Sequence, residues 1–247
     1  ISTSQIRGFP DQVLHNRALE KIWLLTKRRA LREPMAHLIK KREFWSLSFE
    51  VSKHTLIPSP DSETLIEAIL QFTPNREAPI RILDLGTGSG CLLGALLEEF
   101  KHASGMGIDV DKSASIIARR NMKRLGYAGR AEIRTGDWGK GITESFDVIA
   151  CNPPYIPSGD IKNLEIDVRK YEPRVALDGG EDGLESYRII AGQIFRIIKI
   201  TGLAAVEVGL GQARAVTQIF EDSGLEIKHI SRDLASQDRC LLATVQN

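Results

Sequence analysis

The chain has 247 residues, enough for one large α/β domain and a small accessory segment. With 33 basic and 32 acidic residues its formal net charge is +1. It therefore lacks the electrostatic footprint of a protein that wraps long nucleic acid, and no direct DNA binding is expected. Cys91, Cys151 and Cys240 lie far apart in no metal-ligand spacing. That pattern points to a reducing compartment and no metal site. No apolar run approaches the ~18 residues of a transmembrane helix, and no signal peptide is evident. A monomer in the cytoplasm, with no membrane partner, is the expectation. The chain starts at Ile1 rather than Met, so the true start is expected to be missing or processed away. A lost transit peptide keeps a mitochondrial or other organellar location open.

The first predicted element is a helix from Phe9 to about Arg32, with Val13, Leu14, Ala18, Leu19, Ile22 and Leu25 at helical spacing. Pro10 and Asp11 suit its first turn. Lys27, Arg28, Arg29 and Arg32, followed by Lys40, Lys41 and Arg42, read first as a solvated face and second as a docking surface for a partner carrying RNA. Pro34 ends the helix and opens a short second one through Ile39. Trp45, Leu47, Phe49 and Val51 alternate with polar residues as in a half-buried strand. A turn at Lys53-His54 and a return strand at Leu56-Ile57 would complete a hairpin. Ser59-Pro60 looks like an N-cap with proline at the first helical position. Leu65, Ile66, Ile69 and Leu70 stripe the helix that follows, and residues 74–79 read as a linker.

From Ile80 the pattern is βαβα. Strands are expected at Arg81–Leu85, Gly105–Asp109, Ala131–Thr135, Phe146–Ala150, Leu203–Val208, Leu225–Ser231 and Arg239–Val245. Helices are expected through Phe100 and over Ser113–Leu125, Ser186–Ile198 and Gln212–Asp222. This alternation implies a mostly parallel sheet with helices on both faces. The short connection between the last two strands suits antiparallel pairing.

Asp84-Leu85-Gly86-Thr87-Gly88-Ser89-Gly90 sits at a strand-to-helix junction, where ligands of such sheets bind. Glycines allow a sharp turn and a close ligand approach. Asp109 ends the next strand, placed to bind the two hydroxyls of a ribose. The spacing is Gly-x-Gly-x-Gly, not the Gly-x-Gly-x-x-Gly of dinucleotide folds, and it resembles motif I of class I S-adenosylmethionine methyltransferases. Asp137 could bind an adenine amino group and Trp138 could cover the adenine face; an ordinary core tryptophan is the other reading.

Asn152-Pro153-Pro154-Tyr155 ends the fourth strand beside that loop. The prolines stiffen the backbone and remove two N–H donors, Asn152 adds a side-chain acceptor, and Tyr155 supplies a flat face. The set suits a planar group bearing –NH₂. An amide nitrogen is a poor nucleophile, so positioning and preorganised dipoles would supply much of the rate. Asn152 Oδ1 and the Pro153 carbonyl would accept its two hydrogens, and its proton would leave to water. Adenine presents a similar amino group, so this motif alone does not name the substrate.

Four blocks in order resemble the peptide chain release factor glutamine methyltransferase family (HemK type). They are Glu33-Pro34 with Glu43-Phe44; Leu56 to Glu63; Asp84 to Gly90 with Asp109, Asp137-Trp138 and Asn152 to Ile156; and Tyr171-Glu172-Pro173-Arg174 with Ala176 to Leu184. The second and fourth blocks separate this family from adenine methyltransferases. The resemblance implies a Rossmann-like fold with a seven-stranded, mostly parallel sheet whose last strand is antiparallel, plus a small N-terminal helical segment and β-hairpin. It implies a docking segment at 1–43, a hairpin and linker helix at 44–78, and a methyltransferase domain at 79–247. Asp84, Gly86, Thr87, Gly88, Ser89, Gly90, Asp109, Asp137, Trp138 and Asn152 would bind S-adenosylmethionine. Asn152, Pro153, Pro154 and Tyr155 would act on the glutamine of a Gly-Gly-Gln loop in a class 1 release factor.

About 32 residues precede Glu33, which is short for the family's helical domain. Where the family usually reads Pro-Arg-Pro-Glu-Thr-Glu, this chain carries Ser59, Asp61 and Ser62, losing an arginine fork near the cofactor mouth. His37 replaces a usual tyrosine, a surface or packing change. Glutamine methylation of a ribosomal protein is the second reading and adenine methylation of DNA the third. A cofactor-binding module without catalysis is disfavoured by the intact Asn152 to Tyr155 motif.

Overall fold

A computed structural model describes Gly8 and residues 13–246. Helix α1 (Asn16–Ala30) carries its basic residues Lys27, Arg28 and Arg29 in the last turn, where they complement the helix dipole. The start expected at residues 9–11 lies outside the described residues. The apolar stripe is not covered: Leu19 and Ile22 are half exposed. The basic cluster is partly consumed within the chain. Arg32 pairs with Glu165 and Asp167 at 3.1 and 3.0 Å, Arg28 pairs with Glu33, and Tyr171 Oη donates to the Leu31 carbonyl at 2.8 Å. Helix α2 (Met35–Ile39) follows Pro34 as expected. His37 on it is buried, so its substitution is a packing change.

The hairpin sits earlier than the alternation predicts. Strands β1 (Lys41–Phe44) and β2 (Leu47–Glu50) pair antiparallel, and Trp45 and Ser46 form the turn with φ of 51° and 57°. Neither residue favours that conformation. It is held by tertiary hydrogen bonds: Trp45 N donates to Glu63 Oε1 and Trp45 Nε1 to Glu99 Oε1, both at 2.8 Å. Lys53-His54 turns as expected, but no strand follows at Leu56-Ile57. Ser59 caps a 3₁₀ turn (Pro60–Ser62) by accepting from Asp61 N at 3.2 Å, and α3 (Glu63–Phe72) runs on from it.

The remaining elements are β3 (Arg81–Leu85), α4 (Cys91–Glu99), β4 (Ser104–Asp109), α5 (Lys112–Arg124), β5 (Ala131–Thr135), β6 (Phe146–Cys151), α6 (Ile166–Tyr171), α7 (Glu185–Ile197), β7 (Ile198–Glu207), α8 (Ala213–Asp222), β8 (Leu225–Arg232) and β9 (Asp238–Val245). Seven of these strands form one sheet in the order β5-β4-β3-β6-β7-β9-β8, parallel except for β9, which is antiparallel to both neighbours. The sheet and its antiparallel last strand match the expected fold. The short helix α6 was not foreseen.

Central strands buried on both faces read as near-continuous apolar runs; in β3, Ile82, Leu83 and Leu85 are fully buried. One face packs on α3, α4 and α5 with the hairpin's Phe44 and Phe49; the other packs on α7 and α8 through Tyr187, Ile190, Ile194, Val216 and Phe220. Asn121 on α5 locks the hairpin to the first Gly-rich loop. Its Oδ1 accepts from Glu50 N at 2.8 Å, while Nδ2 donates to the carbonyls of Glu50 (2.9 Å) and Ser89 (2.8 Å). No helix among the described residues is long and apolar enough to cross a membrane.

Phe49 fills the notch left by Gly94 on α4, where a Cβ would lie 2.9 Å from two of its ring carbons. Phe49→Ala should therefore cost about 3–5 kcal/mol of unfolding free energy, read from urea denaturation. A loss below about 1 kcal/mol would show that the hairpin is not part of the core.

Candidate active site

The turn after β3 is organised by a buried acid. Asp84 Oδ2 accepts from Thr87 Oγ1 at 2.6 Å and from Leu93 N at 3.3 Å. The N–H groups of Gly86 and Thr87 both donate to the Ile108 carbonyl at 2.9 Å. Gly86 has φ +74°, and a Cβ there would come within 3.3 Å of the Trp138 ring. The loop is thus pinned from below and leaves its upper surface to a cavity of about 340 Å³. Gly86, Thr87, Gly88, Ser89, Asp109, Asp137, Trp138 and Asn152 line that cavity, as do Leu56, Pro58, Val110, Val175 and Ala176.

Two expected cofactor contacts stand behind the wall instead. Asp84 is fully buried and holds the loop. Gly90 caps α4 with φ +81°, and its missing side chain makes room for Met122 and Ala118 on α5, so packing rather than ligand approach explains it. Asp109 faces the cavity and also braces the loop. Its Oδ2 accepts from Gly88 N at 2.8 Å and its Oδ1 from Asp111 N at 2.9 Å. A carboxylate has about four acceptor sites, so capacity for a diol remains. Ser89 Oγ is buried with no partner among the described residues.

Asn152 emerges beside this loop because Leu85 and Cys151 are register partners in the parallel pair β3–β6. Its Nδ2 donates to Ser62 Oγ at 3.0 Å, and Ser62 Oγ donates to Glu207 Oε2 at 2.6 Å. Pro154 lines the cavity, whereas Pro153 and Tyr155 do not. Tyr155 was expected to offer its face to the acceptor. Its ring instead packs into the core below, with its hydroxyl 3.4 Å from Glu207 Oε1 and its carbonyl held by Gln212 Nε2 at 3.0 Å.

The second and fourth sequence blocks meet here. Ile57 N donates to Glu172 Oε2 at 2.9 Å, Ile156 N donates to the Leu177 carbonyl at 3.0 Å, and Gly179 N donates to the Ile156 carbonyl at 2.9 Å. Together these bonds bring Leu56, Pro58, Val175, Ala176 and Asp178 to the cavity wall. Ser59 also lines it, so it combines a helix cap with the wall position where the family's arginine is expected. Sequence reasoning missed Glu207 and His54. Glu207 carried a readable signal: it is the one acid in the apolar run Leu203–Val208, at the carboxyl end of a sheet strand, where ligands bind.

Burial pushes three carboxyls, Asp84, Glu172 and Glu207, up to about 7, only partly offset by their hydrogen-bond donors. Each holds a proton more readily folded than unfolded, where its pKa is about 4. Their contribution to stability is present below about pH 4 and is lost as pH rises through about 7. Carboxyls held low by surface partners, such as Asp178 and Asp182, titrate below this window. Burial lowers the pKa of His37, which opposes the trend only where the unfolded imidazole protonates. The melting temperature should therefore fall as pH rises from about 5 to about 7, and Asp84→Asn should shrink the fall. A melting temperature that rises over that interval would contradict the assignment.

Comparison with known proteins places the chain in a family. The family described as "Methyltransferase small domain" matches residues 61–166. The chain is 44% identical to a release factor glutamine methyltransferase of Rhodospirillum rubrum, covering 94% of this chain and 71% of that protein. It is 43% identical to one of Caulobacter vibrioides, covering 87% and 75%. Among solved structures, a methyltransferase of Pyrococcus furiosus aligns with TM-score 0.60 at 18% identity, over 88% of this chain and 98% of that one. A Thermus thermophilus 16S rRNA methyltransferase in complex with AdoMet and guanosine aligns with TM-score 0.58 at 16% identity, over 83% of this chain and 50% of that one. The two structures share the fold, and the two sequence relatives settle the family: this chain belongs to the release factor glutamine methyltransferases.

Proposed function

We propose that the chain transfers a methyl group from S-adenosylmethionine to the side-chain amide nitrogen of the glutamine in the Gly-Gly-Gln loop of a class 1 peptide chain release factor. The observation that carries this reading is Asn152. Its Nδ2 is occupied by Ser62, so Oδ1 is the atom left for an acceptor, at the edge of the cavity built on the Gly-rich loop. An acceptor-only oxygen there selects a donor such as –NH₂. The relatives' names supply the protein that bears it.

The residues present suit the cofactor. Asp109 has acceptor capacity for the ribose hydroxyls, Trp138 lines the cavity where it would cover an adenine, and Ser89 Oγ is a buried polar atom still lacking a partner among the described residues. The cavity volume falls within the range for ligands of this size. When bound, S-adenosylmethionine supplies an electrophilic methyl group on a sulfonium. The chain's own part is positioning. Asn152 Oδ1 accepts one amide hydrogen of the glutamine; the Pro153 carbonyl, to which no N–H among the described residues donates and which stands just outside the cavity lining beside Pro154, accepts the other once the glutamine is seated. Holding both hydrogens fixes the direction of the nitrogen lone pair. The apolar walls Leu56, Pro58 and Val175 exclude water from the nitrogen. Residues 1–43 serve as the docking segment, a reading supported by the exposed Leu19, Ile22, Trp23 and Leu24 on α1.

Incubation with radiolabelled S-adenosylmethionine and a class 1 release factor, its Gly-Gly-Gln variant with Gln→Ala, or unmethylated DNA tests the reading. Label on the wild-type factor alone is expected, and label on DNA would overturn it. Asn152→Ala should lower kcat by about a hundredfold or more, the order expected for one preorganised polar contact, while cofactor affinity by calorimetry stays within about twofold. Asp109→Ala should instead weaken cofactor binding by about tenfold or more.

A further inference from the structure

Behind Asn152 runs a chain of buried polar groups: Asn152 Nδ2 to Ser62 Oγ at 3.0 Å, then Ser62 Oγ to Glu207 Oε2 at 2.6 Å. Ser62 and Glu207 are both buried; Ser62 also borders the cavity, whereas Glu207 does not. A carboxamide is nearly symmetric in shape. Turned by half a revolution, Asn152 would fit the same space but present –NH₂ to an acceptor that is itself –NH₂, and two donors repel. Packing alone does not choose between the two orientations; the direction of protons along the chain does. A serine hydroxyl has one proton to give. If Ser62 gives it to Glu207, the Ser62 oxygen must receive from Asn152, and Oδ1 faces the cavity. If Ser62 gives it to Asn152, Oδ1 is turned inward and lost.

We propose that Ser62 and Glu207 are positioning residues for the methyl transfer: Ser62 Oγ donates its hydrogen bond to Glu207, Asn152 Nδ2 donates to Ser62 Oγ, and Asn152 Oδ1 is thereby turned toward the acceptor nitrogen. The identity of that acceptor rests on the glutamine reading, whereas the proton direction is a property of the folded chain by itself. An ionised carboxylate can only accept, which is what the relay needs at its far end. When Glu207 takes up a proton it becomes a donor to Ser62, and the constraint on Asn152 is released.

The groups facing Glu207 set where that happens. Tyr155 Oη, from the segment after β6, lies 3.4 Å from Oε1, and Tyr187 Oη, from α7, donates to the Glu207 carbonyl at 3.1 Å. Asp61, beside Ser62, adds negative charge, and Arg239 on β9 supplies positive charge, though it is already paired with Asp233 at 2.9 Å and Asp61 at 3.6 Å. The thiols of Cys151 and Cys240 lie close by and stay neutral because burial pushes their pKa up. Burial dominates for Glu207 and brings its pKa to about 7. The relay is therefore fully set above that pH and fades below it.

Two measurements on the full chain test this. In the first, without cofactor, the Asn152 side-chain ¹⁵NH₂ signals, assigned by their loss in Asn152→Ala, are followed by NMR from about pH 5.5 to 8.5. In the wild type they should shift with a midpoint near 7; in Glu207→Gln and Ser62→Ala the shift should vanish. In the second, kcat is measured over the same range. Ser62→Ala should lower kcat about ten- to a hundredfold, as for a lost hydrogen bond to a buried group. KM and cofactor affinity should stay within about twofold. Ser62→Thr, the residue usual in the family, should restore kcat. Glu207→Gln should lose the acidic limb of the wild-type profile. Asn152 signals that ignore both substitutions, or equal loss of kcat in Ser62→Ala and Ser62→Thr, would overturn the proposal. Signals that follow Glu207 in a protein that labels no release factor would leave the relay standing and remove the acceptor reading instead.

Discussion

The site depends on one register. Leu85 of β3 and Cys151 of β6 are partners in a parallel ladder, so the next residue of each strand, Gly86 and Asn152, leaves the sheet at the same level on adjacent strands. Parallel strands release their loops at a common edge, and in open α/β sheets that edge is where ligands lie. The Gly-rich loop and the Asn152 amide are held one strand spacing apart, about 4.8 Å, by backbone hydrogen bonds deep in the core. No side chain at the site has to create that proximity. Side chains only refine it, and a slip of the ladder by one residue would turn each strand's buried set to the opposite face.

Upon that base the chain builds walls from segments distant in sequence. Glu172 reaches back to Ile57 N, and the strand-like contact of Ile156 with Asp178 brings the stretch around Val175 over the cavity. This accounts in physical terms for the two blocks that distinguish the family from adenine methyltransferases. On the proposed reading, the Gly-rich loop and Asn152 would serve any planar amino group, and the walls would decide what shape of molecule can bring one in. The N-terminal helix is joined to the same wall, since Arg32 pairs with Glu165 and Asp167 and Tyr171 bonds to Leu31. On the proposed docking role of this segment, a protein bound there and the cavity would share one mechanical unit.

Much of this was legible in the sequence where a property is local. The strand-loop-helix around Gly86, the acid at Asp109 and the motif at Asn152 each declare themselves within a few residues, and each lines the cavity as expected. The legibility failed where tertiary forces overrule local preference. Trp45 and Ser46 carry no turn signal, yet they turn with positive φ because Glu63 and Glu99 take the two Trp45 N–H groups. The alternation at Trp45 to Val51 is real, but the turn falls inside it, so only Leu47–Glu50 pairs as a strand. Tyr155 and Gly90 belong to readable motifs, but their surroundings, not their spacing, decide that they pack rather than bind. Glu207 and Ser62 lie 145 residues apart, and nothing short of the folded sheet brings them together.

The sheet order gives the carboxyl-terminal half an unusual dependence on sequence of assembly. Strand β9 lies between β7 and β8, although it follows both in the chain. While the polypeptide is being made, β7 has an open edge and β8 has no neighbour to pair with until β9 arrives. The cover over Glu207, including Arg239 and Cys240, comes with that same strand. The amino-terminal half can condense early on contacts of short span, whereas the wall behind Asn152 is a late event that closes a long loop. A nascent chain halted before Asp238 would hold a formed cofactor loop beside an exposed strand edge, which makes that intermediate the species most in need of protection from aggregation.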